Sequence, residues 1–345
     1  MKFNKRQVDL VAIRTPLPLR YRKFFQSISK IAHVHLITGT LVPTIHLGMN
    51  VSTVLAYTML FFKPVRKLRP TLMDINASVY TLLRSRRDLI VDFRTPLSLE
   101  LAWLGHRNLA SLAKRMEKNI QDRLAIAANN RMASVCKELG AVSVLVIPNY
   151  PTRDFKPTVK PEKWKVIHNL APDGCVVLFA GCKTGWRFES IYGLDLLLQS
   201  WRLVERSADA DLVILGDAPF DYVHEKMRSL NIRRLLLPGR VSLNDVANWI
   251  NCADVCLAPR TPGFPQHFYD DKDSTKISEY VALEKPIVAA GYAPSSQYLL
   301  VSQDPEAFAE GIMKGLNGKI NPPKPHYWEE NEPTMLKLLE DFWFG

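Results

Sequence analysis

The chain has 345 residues, of which 47% are hydrophobic, and this composition excludes a largely disordered protein and is sufficient for two packed domains. The formal net charge of +11 is unevenly spread: residues 1–150 hold 23 Lys and Arg against 8 Asp and Glu, whereas residues 151–345 hold 22 against 26. The basic first half predicts an anionic partner such as a phosphate, an acidic lipid headgroup or nucleic acid; a basic surface that serves only solubility is the alternative.

The cysteines and the first residues indicate where the protein works. The five cysteines are an odd number and include no CxxC pair, so we interpret them as buried thiols in a reducing cytoplasm. The first ten residues are polar and charged, and we predict no cleavable signal peptide.

Within the basic half, residues 31–62 contain no Lys, Arg, Asp or Glu, a length that could span a bilayer. Pro43, Gly48 and Asn50 interrupt this stretch, so we interpret it as a strand, a loop and a helix near 51–62. Lys63, Arg66, Lys67 and Arg69 follow directly. An apolar helix beside a basic cluster is typical of contact with a membrane surface, and a core helix with a basic end fits equally well.

In chain order, apolar runs in the first 150 residues predict strands near 8–13, 34–37, 72–75, 89–93 and 144–147. Helical spacing predicts helices near 21–32 and 78–85 and one long helix over 108–127. A polar stretch then carries four prolines and is predicted to be a linker; these are Pro148, Pro151, Pro157 and Pro161.

After the linker the pattern alternates regularly between strands and helices. Strands are predicted near 176–180, 212–215, 235–237, 255–258 and 287–290. Helices are predicted near 191–204, 222–230, 243–251, 275–283 and 305–316, and a separate final helix near 333–344. This alternation predicts parallel sheets with right-handed crossovers, and therefore two Rossmann-like units.

The segment 257–291 contains a strand, a polar loop and the start of a helix. Ser274 or Thr275 occupies the expected N-cap position, where free N–H groups and the helix dipole favour an anion. Lys276 adds a positive charge in the first turn, and Glu279, one turn later, can accept hydrogen bonds from a ribose diol. The pattern predicts that one helix end binds both a diphosphate and a ribose.

This segment resembles the donor-binding segment of GT-B glycosyltransferases, chiefly the retaining family 4, in which two acids eight residues apart open a helix. Asp271 and Glu279 have this spacing, with Asp in place of the usual first Glu, and EYVALEKPIVAAG resembles the run that follows. In that family the first acid contacts the hydroxyls of the transferred sugar and the second contacts the ribose. The resemblance implies these roles for Asp271 and Glu279.

Three further segments resemble the same family and imply further donor-binding residues. In FAGCKTGWRFESIYG, Gly181 would let backbone approach the phosphates, and Tyr192 stands where the family has Lys, so Lys183 or Arg187 is expected to supply the positive charge. Gly216 ends the strand in LVILGDAP. In relatives the residues that follow the glycine at the next strand end border the nucleotide base, and here these are Gly239, Arg240 and Val241.

The first half resembles the family less closely. In RDLIVDFRTPLSLE, Arg94 replaces a His that in many relatives lies near the reacting sugar. Asp92 and Arg94 could pair structurally at the end of a buried strand, or Asp92 could act as a base in an inverting reaction. Both residues are therefore candidate catalytic residues.

Together these resemblances imply an α/β protein of GT-B fold, with two Rossmann-like domains facing each other across a cleft. The expected domains are residues 1–152 with 325–345, which would bind the acceptor, and residues 153–324, which would bind the nucleotide sugar; the final helix would cross back to the first domain.

The expected activity is retaining transfer of a sugar from a UDP- or GDP-linked donor to a glycan or lipid-linked acceptor, on the inner face of a membrane. We expect no cofactor and no required metal, and the only acidic cluster considered as a metal site is Asp270, Asp271 and Asp273.

A sugar-nucleotide epimerase is the first alternative. A basic nucleic-acid-binding protein is the second, but no nucleic acid is expected because aromatic and basic residues do not interleave on one face.

Overall fold

The computed structural model describes residues 6–12, 19–38, 70–74, 89–182 and 192–345. The chain divides into two compact units, the first containing Met1–Asn149 and Trp328–Gly345 and the second containing Tyr150–Tyr327. The helix predicted near 78–85 and the segment 51–69 considered for membrane contact lie outside the described residues. In the part of the chain that is described, no helix is long and apolar enough to cross a membrane.

The first unit is built on a six-stranded parallel sheet with the strand order β2-β1-β3-β4-β5-β6. The strands are β1 Gln7–Ala12, β2 His33–Thr38, β3 Thr71–Asp74, β4 Leu89–Phe93, β5 Leu124–Ala127 and β6 Ser143–Val146. The helices described before the second unit are α1 Leu19–Ile28, α2 Leu97–Trp103, α3 Arg107–Glu117 and α4 Asn130–Glu138. β3, β4 and β5 are buried along their whole length, as expected for parallel strands covered on both faces.

The second unit contains a second six-stranded parallel sheet, in the order β12-β11-β10-β7-β8-β9. Its strands are β7 Cys175–Cys182, β8 Ala210–Gly216, β9 Leu235–Gly239, β10 Val255–Pro259, β11 Ile287–Ala290 and β12 Leu299–Val301. Its helices are α5 Pro161–Ile167, α6 Leu194–Val204, α7 Phe220–Leu230, α8 Leu243–Cys252, α9 Thr275–Ala282 and α10 Pro305–Leu316. Counted from β7, this is the Rossmann order 3-2-1-4-5-6, which reverses between β7 and β10.

The final helix, α11 Glu332–Phe344, belongs to the first unit, in agreement with the prediction that it crosses back. Met335 and Leu339 of α11 are fully buried in the core of that unit. Just before the helix, Trp328 packs its ring edge-on against Phe24 of α1 at 5.4 Å between centroids and donates a hydrogen bond of 3.0 Å to Ser27 Oγ.

The single helix predicted over 108–127 is wrong. α3 ends at Glu117, a short 3-10 turn follows over Lys118–Ile120, and β5 then begins at Leu124. Asp122, at φ 57°, has the left-handed backbone conformation that a helix cannot contain. The four residues of β5 are all apolar, and so short a run has no periodicity that separates a strand from a helix.

The predicted linker is shorter than its prolines indicate. Pro161 stands in the first turn of α5, where its fixed φ suits a helix and its missing N–H costs nothing. The rest of the linker is fixed to the second unit by Asn248 of α8, which is buried. Its side-chain oxygen accepts hydrogen bonds from the backbone N–H of Thr158 at 2.8 Å and of Val159 at 3.0 Å.

Candidate functional site

The amino end of α9 lies at the point where the strand order of the second sheet reverses. Tyr280, which is fully buried in α9, accepts a hydrogen bond of 2.8 Å from the backbone N–H of Ala180 in β7, and its hydroxyl lies 3.4 Å from the carbonyl oxygen of Leu257 in β10. Burial raises the pKa of the Tyr280 hydroxyl well above its ordinary value, so it remains neutral. One side chain therefore connects the helix to both strands that flank the crevice where ligands bind in sheets of this kind.

Lys276 and Gly181 lie together at this edge, as the sequence predicts for residues that face a diphosphate. Gly181 has φ 82°, and a Cβ placed on it would lie 3.7 Å from Cε of Lys276. The Lys276 ammonium lies 4.0 Å from the ring centroid of Phe179 and 4.4 Å from that of Tyr192. The aromatic ring that replaces the family's Lys at position 192 thus contacts the cation supplied from α9.

The rest of the first turn of α9 supports an anion-binding end. Ser274 is the N-cap residue, but its side chain makes no capping hydrogen bond. Thr275 is partly buried, and Glu279 is 8% exposed. Because Glu279 follows Lys276 by three residues, the two side chains lie on the same face of the helix. The first N–H groups of a helix have no partner within it, so this end can combine backbone donors, an ammonium group and a carboxylate.

Asp271 precedes α9 in a buried loop, and both of its carboxylate oxygens accept hydrogen bonds from hydroxyl groups. Tyr150 donates to Oδ2 and Ser295 donates to Oδ1, each at 2.6 Å. Asp271 is 3% exposed. Sequence reasoning identified Asp271 but neither hydroxyl partner, since they are 121 and 24 residues away along the chain.

Arg260, directly after β10, is a second residue that sequence reasoning missed. Its guanidinium lies over three aromatic rings, with distances to the ring centroids of 4.6 Å for Phe264, 4.3 Å for Tyr269 and 4.6 Å for Tyr292. Burial alone would lower the pKa of Arg260, but the oxygens of Tyr292 and Tyr269 and the carboxylate of Asp273 raise it. Arg260 therefore stays charged and fixes the start of the loop that leads to Asp271.

The remaining donor-binding candidates have different positions. Gly216 ends β8 with φ 112°, and it pairs with Cys182 of β7. Arg240, just after β9, is exposed and forms an ion pair with Asp217, whereas Val241 is partly buried. All three lie at or after the carboxyl ends of parallel strands, which meet at one edge of the sheet. Lys183 and Arg187 lie outside the described residues.

In the first unit, Asp92 pairs with a residue that sequence reasoning did not consider. The guanidinium of Arg20 donates to Asp92 Oδ1 from Nε at 3.0 Å and from Nη2 at 2.9 Å, and the Tyr21 hydroxyl donates to Oδ2 at 3.1 Å. Asp92 is fully buried. These contacts engage both carboxylate oxygens of Asp92. They favour a structural ion pair over a role for Asp92 as a general base, and the partner is Arg20, not Arg94.

Arg94 follows β4 and is partly exposed. Burial would lower its pKa, but the carboxylates of Asp74 and Asp92 outweigh this effect and raise it above the ordinary value. The end of this first sheet therefore carries a permanent positive charge beside two buried carboxylates.

In the described ranges, no group of three or more His, Cys, Asp or Glu is arranged to bind a metal ion, so Asp270, Asp271 and Asp273 do not form such a group. That the reaction requires no metal stays a prediction.

Comparisons with known proteins agree with this architecture. Residues 174–317 match the family model described as Glycosyl transferases group 1. A comparison with curated protein sequences finds no significant match. Among solved structures, the chain is similar to sucrose-phosphate synthase from Thermosynechococcus elongatus, with a TM-score of 0.71 and 14% identity over 98% of this chain and 99% of that chain.

Two other similar structures have comparable coverage. WaaG, a glycosyltransferase involved in lipopolysaccharide biosynthesis, has a TM-score of 0.64 and 13% identity over 98% of this chain and 100% of that chain. HepE from Anabaena in complex with UDP-glucose has a TM-score of 0.62 and 14% identity over 98% of this chain and 95% of that chain. The two parallel sheets thus have the GT-B fold, residues 174–317 match a glycosyltransferase family, and the chain is a glycosyltransferase.

Proposed function

We propose that the second unit binds a nucleoside diphosphate sugar at the carboxyl edge of its sheet and that the enzyme transfers the sugar with retention of configuration. The diphosphate binds the amino end of α9 and Lys276, the ribose binds Glu279, and the transferred sugar contacts Asp271. The observation that carries this proposal is the double contact of Tyr280, because it brings the first turn of α9 beside Gly181 at the reversal of strand order.

The charges at this edge suit the departure of a nucleoside diphosphate. When the bond between the sugar's anomeric carbon and the diphosphate oxygen breaks, negative charge grows on the diphosphate and the sugar becomes oxocarbenium-like. The Lys276 ammonium and the N–H groups of the first turn of α9 are fixed before the reaction, and such a donor is typically worth about 3–4 kcal/mol in the transition state. In a retaining reaction the acceptor hydroxyl attacks the anomeric carbon from the face of the leaving group and gives its proton to the departing diphosphate oxygen. No separate base is then needed, so the engagement of Asp92 by Arg20 is no obstacle.

UDP is the donor nucleotide to test first, and GDP the second. HepE, whose fold this chain shares, is described in complexes with UDP-glucose and with UDP. The positive charge of residues 1–150 supports an acidic acceptor, such as a lipid-linked diphosphate sugar or an anionic glycan. We place the reaction in the cytoplasm, at the inner face of a membrane.

A turnover assay with Lys276→Met tests the catalytic part of the proposal. Methionine keeps an apolar chain over Phe179 and Tyr192 but removes the charge, so release of nucleoside diphosphate in the presence of acceptor should fall by about 100-fold or more. Lys314→Met, on an exposed position of α10, is the matched control and should retain the wild-type rate.

The same assay separates the rival activities. Conversion of the nucleotide sugar to an isomer without acceptor and without release of nucleoside diphosphate would identify an epimerase. Equal turnover by Lys276→Met and the wild type would contradict the proposed role of the ammonium group.

A further inference from the structure

Asp271 lies where three separate segments of the second unit meet. Its own loop precedes α9, Ser295 follows β11, and Tyr150 is the first residue of the unit. The two hydroxyl groups contact different oxygens of the carboxylate, each at 2.6 Å, and Tyr150 is 4% exposed. The carboxylate is therefore fixed from two sides.

These two contacts leave Asp271 able to bind a further ligand. An ionised carboxylate has about four lone-pair positions, and the hydroxyls of Tyr150 and Ser295 use one on each oxygen. Asp is one methylene shorter than the Glu usual in the family, so its carboxylate stays closer to the backbone of its own loop. The hydroxyls of Tyr150 and Ser295 fix the orientation of the Asp271 carboxylate, and they therefore set the direction in which its remaining lone pairs face.

Tyr150 is itself fixed by the other end of the unit. Its ring stacks on His326 at 5.1 Å between centroids and an angle of 25°. Next to this pair, the guanidinium of Arg153 lies 4.8 Å from the ring centroid of Tyr327, the last residue of the unit. The segments by which the chain enters and leaves the second unit are thus joined to each other, and the entering segment is joined to Asp271.

We propose that Tyr150 and Ser295 are positioning residues that orient Asp271 toward the hydroxyls of the donor sugar, with Tyr150 fixed in turn by His326. This inference rests on the proposed donor site. It assigns the two hydroxyls to recognition of the sugar and not of the nucleotide, because both contact Asp271 and neither belongs to the first turn of α9.

Calorimetric titration with UDP and with UDP-glucose, together with steady-state kinetics, tests this assignment on the full chain. For Tyr150→Phe and for Ser295→Ala, binding of UDP should match the wild type, whereas the gain in affinity due to glucose should be lost and kcat should fall by about tenfold. Ser295→Thr keeps a hydroxyl and should restore both. Tyr222→Phe removes a hydroxyl that contacts Asp195 of α6, outside the donor site, and it should behave as wild type.

The outcomes separate the inference from the proposed function. If the wild type binds UDP-glucose but both variants match it in affinity and kcat, the inference is wrong and the donor site stands. If the variants lose affinity for UDP and for UDP-glucose equally, the hydroxyls serve only the structure, and the inference is again wrong. If the wild type binds no nucleotide in a panel that includes GDP and GDP-sugars, the proposed function fails and the inference fails with it.

Discussion

At the scale of single residues, charges buried at the edge of the second sheet have partners of different chemistry. Arg260 lies among three aromatic rings, Lys276 lies over two, and Asp271 accepts hydrogen bonds from two hydroxyls. Burying a charge is costly unless such partners compensate it. The compensation fixes each charge in place before a ligand arrives, which is what stabilisation of a transition state requires.

Asp273, in the same loop as Asp271, has an environment that disfavours its charged form. Burial, together with the neighbouring carboxylate of Asp270, raises its pKa well above the ordinary value. A carboxyl whose pKa is higher in the folded than in the unfolded protein binds a proton preferentially in the folded state. Its contribution to stability is therefore present at low pH and is lost as the pH rises from the unfolded pKa to the folded one.

We predict that Asp273→Asn gains stability relative to the wild type as the pH rises through the range above the ordinary pKa of an aspartic acid, about 4. Asparagine carries no charge and can still accept the hydrogen bond of 2.6 Å from the backbone N–H of Asp270. Thermal unfolding of both proteins across this range gives the measurement. A difference in Tm that does not change with pH, or that changes in favour of the wild type, would show that folding does not raise the pKa of Asp273.

At the scale of elements, α9 is a helix of only eight residues. An isolated helix of this length is unstable, so its place is set by the residues that it buries. All residues from Lys276 to Ala282 are buried, and Tyr280 supplies the polar contacts to β7 and β10. The contacts of Tyr280, in the middle of the helix, therefore position the element that forms the proposed diphosphate site.

Tyr280→Phe is predicted to lower the free energy of unfolding by about 1–3 kcal/mol, because the buried N–H of Ala180 loses its acceptor. It should also weaken binding of nucleoside diphosphate, since α9 loses its polar contacts with β7 and β10. Denaturant unfolding and equilibrium binding measure the two effects. Tyr222→Phe removes a hydroxyl that contacts Asp195 in a more exposed setting and is the control. Wild-type stability of Tyr280→Phe would refute the role assigned to this hydroxyl.

At the scale of the whole molecule, the second unit follows its sequence pattern closely and the described part of the first unit does so less. From β7 to β11 helices alternate with strands, and β11 and α10 lie where they are predicted, at Ile287–Ala290 and Pro305–Leu316. In the first unit the pattern missed β5, whose short apolar run fits a strand and a helix equally, and it also missed the short helices α2 and α4. In the second unit it missed α5 and β12, which have seven and three residues.

The candidate site shows the same division between local and distant information. Lys276 and Glu279 could be predicted because one helix turn sets their spacing, and Gly181 because it ends a strand. The partners of Asp271 and Asp92 could not be predicted. Tyr150 is 121 residues from Asp271 along the chain and Arg20 is 72 residues from Asp92, so only the folded structure brings each pair together. Local spacing thus identifies candidates for ligand contact, whereas only the tertiary structure shows which side chains contact these candidates.

The proposed function requires that a nucleoside diphosphate bind to α9 through Glu279. Equilibrium binding of UDP and GDP to the wild type and to Glu279→Gln tests this requirement, with Glu310→Gln, at an exposed position of α10, as the control. We predict that the wild type and the control bind one of the two nucleotides equally well and that Glu279→Gln binds it about tenfold or more weakly, because the ribose diol loses its charged acceptor. Equal affinity of Glu279→Gln and the wild type, or no binding of either nucleotide to the wild type, would contradict the account.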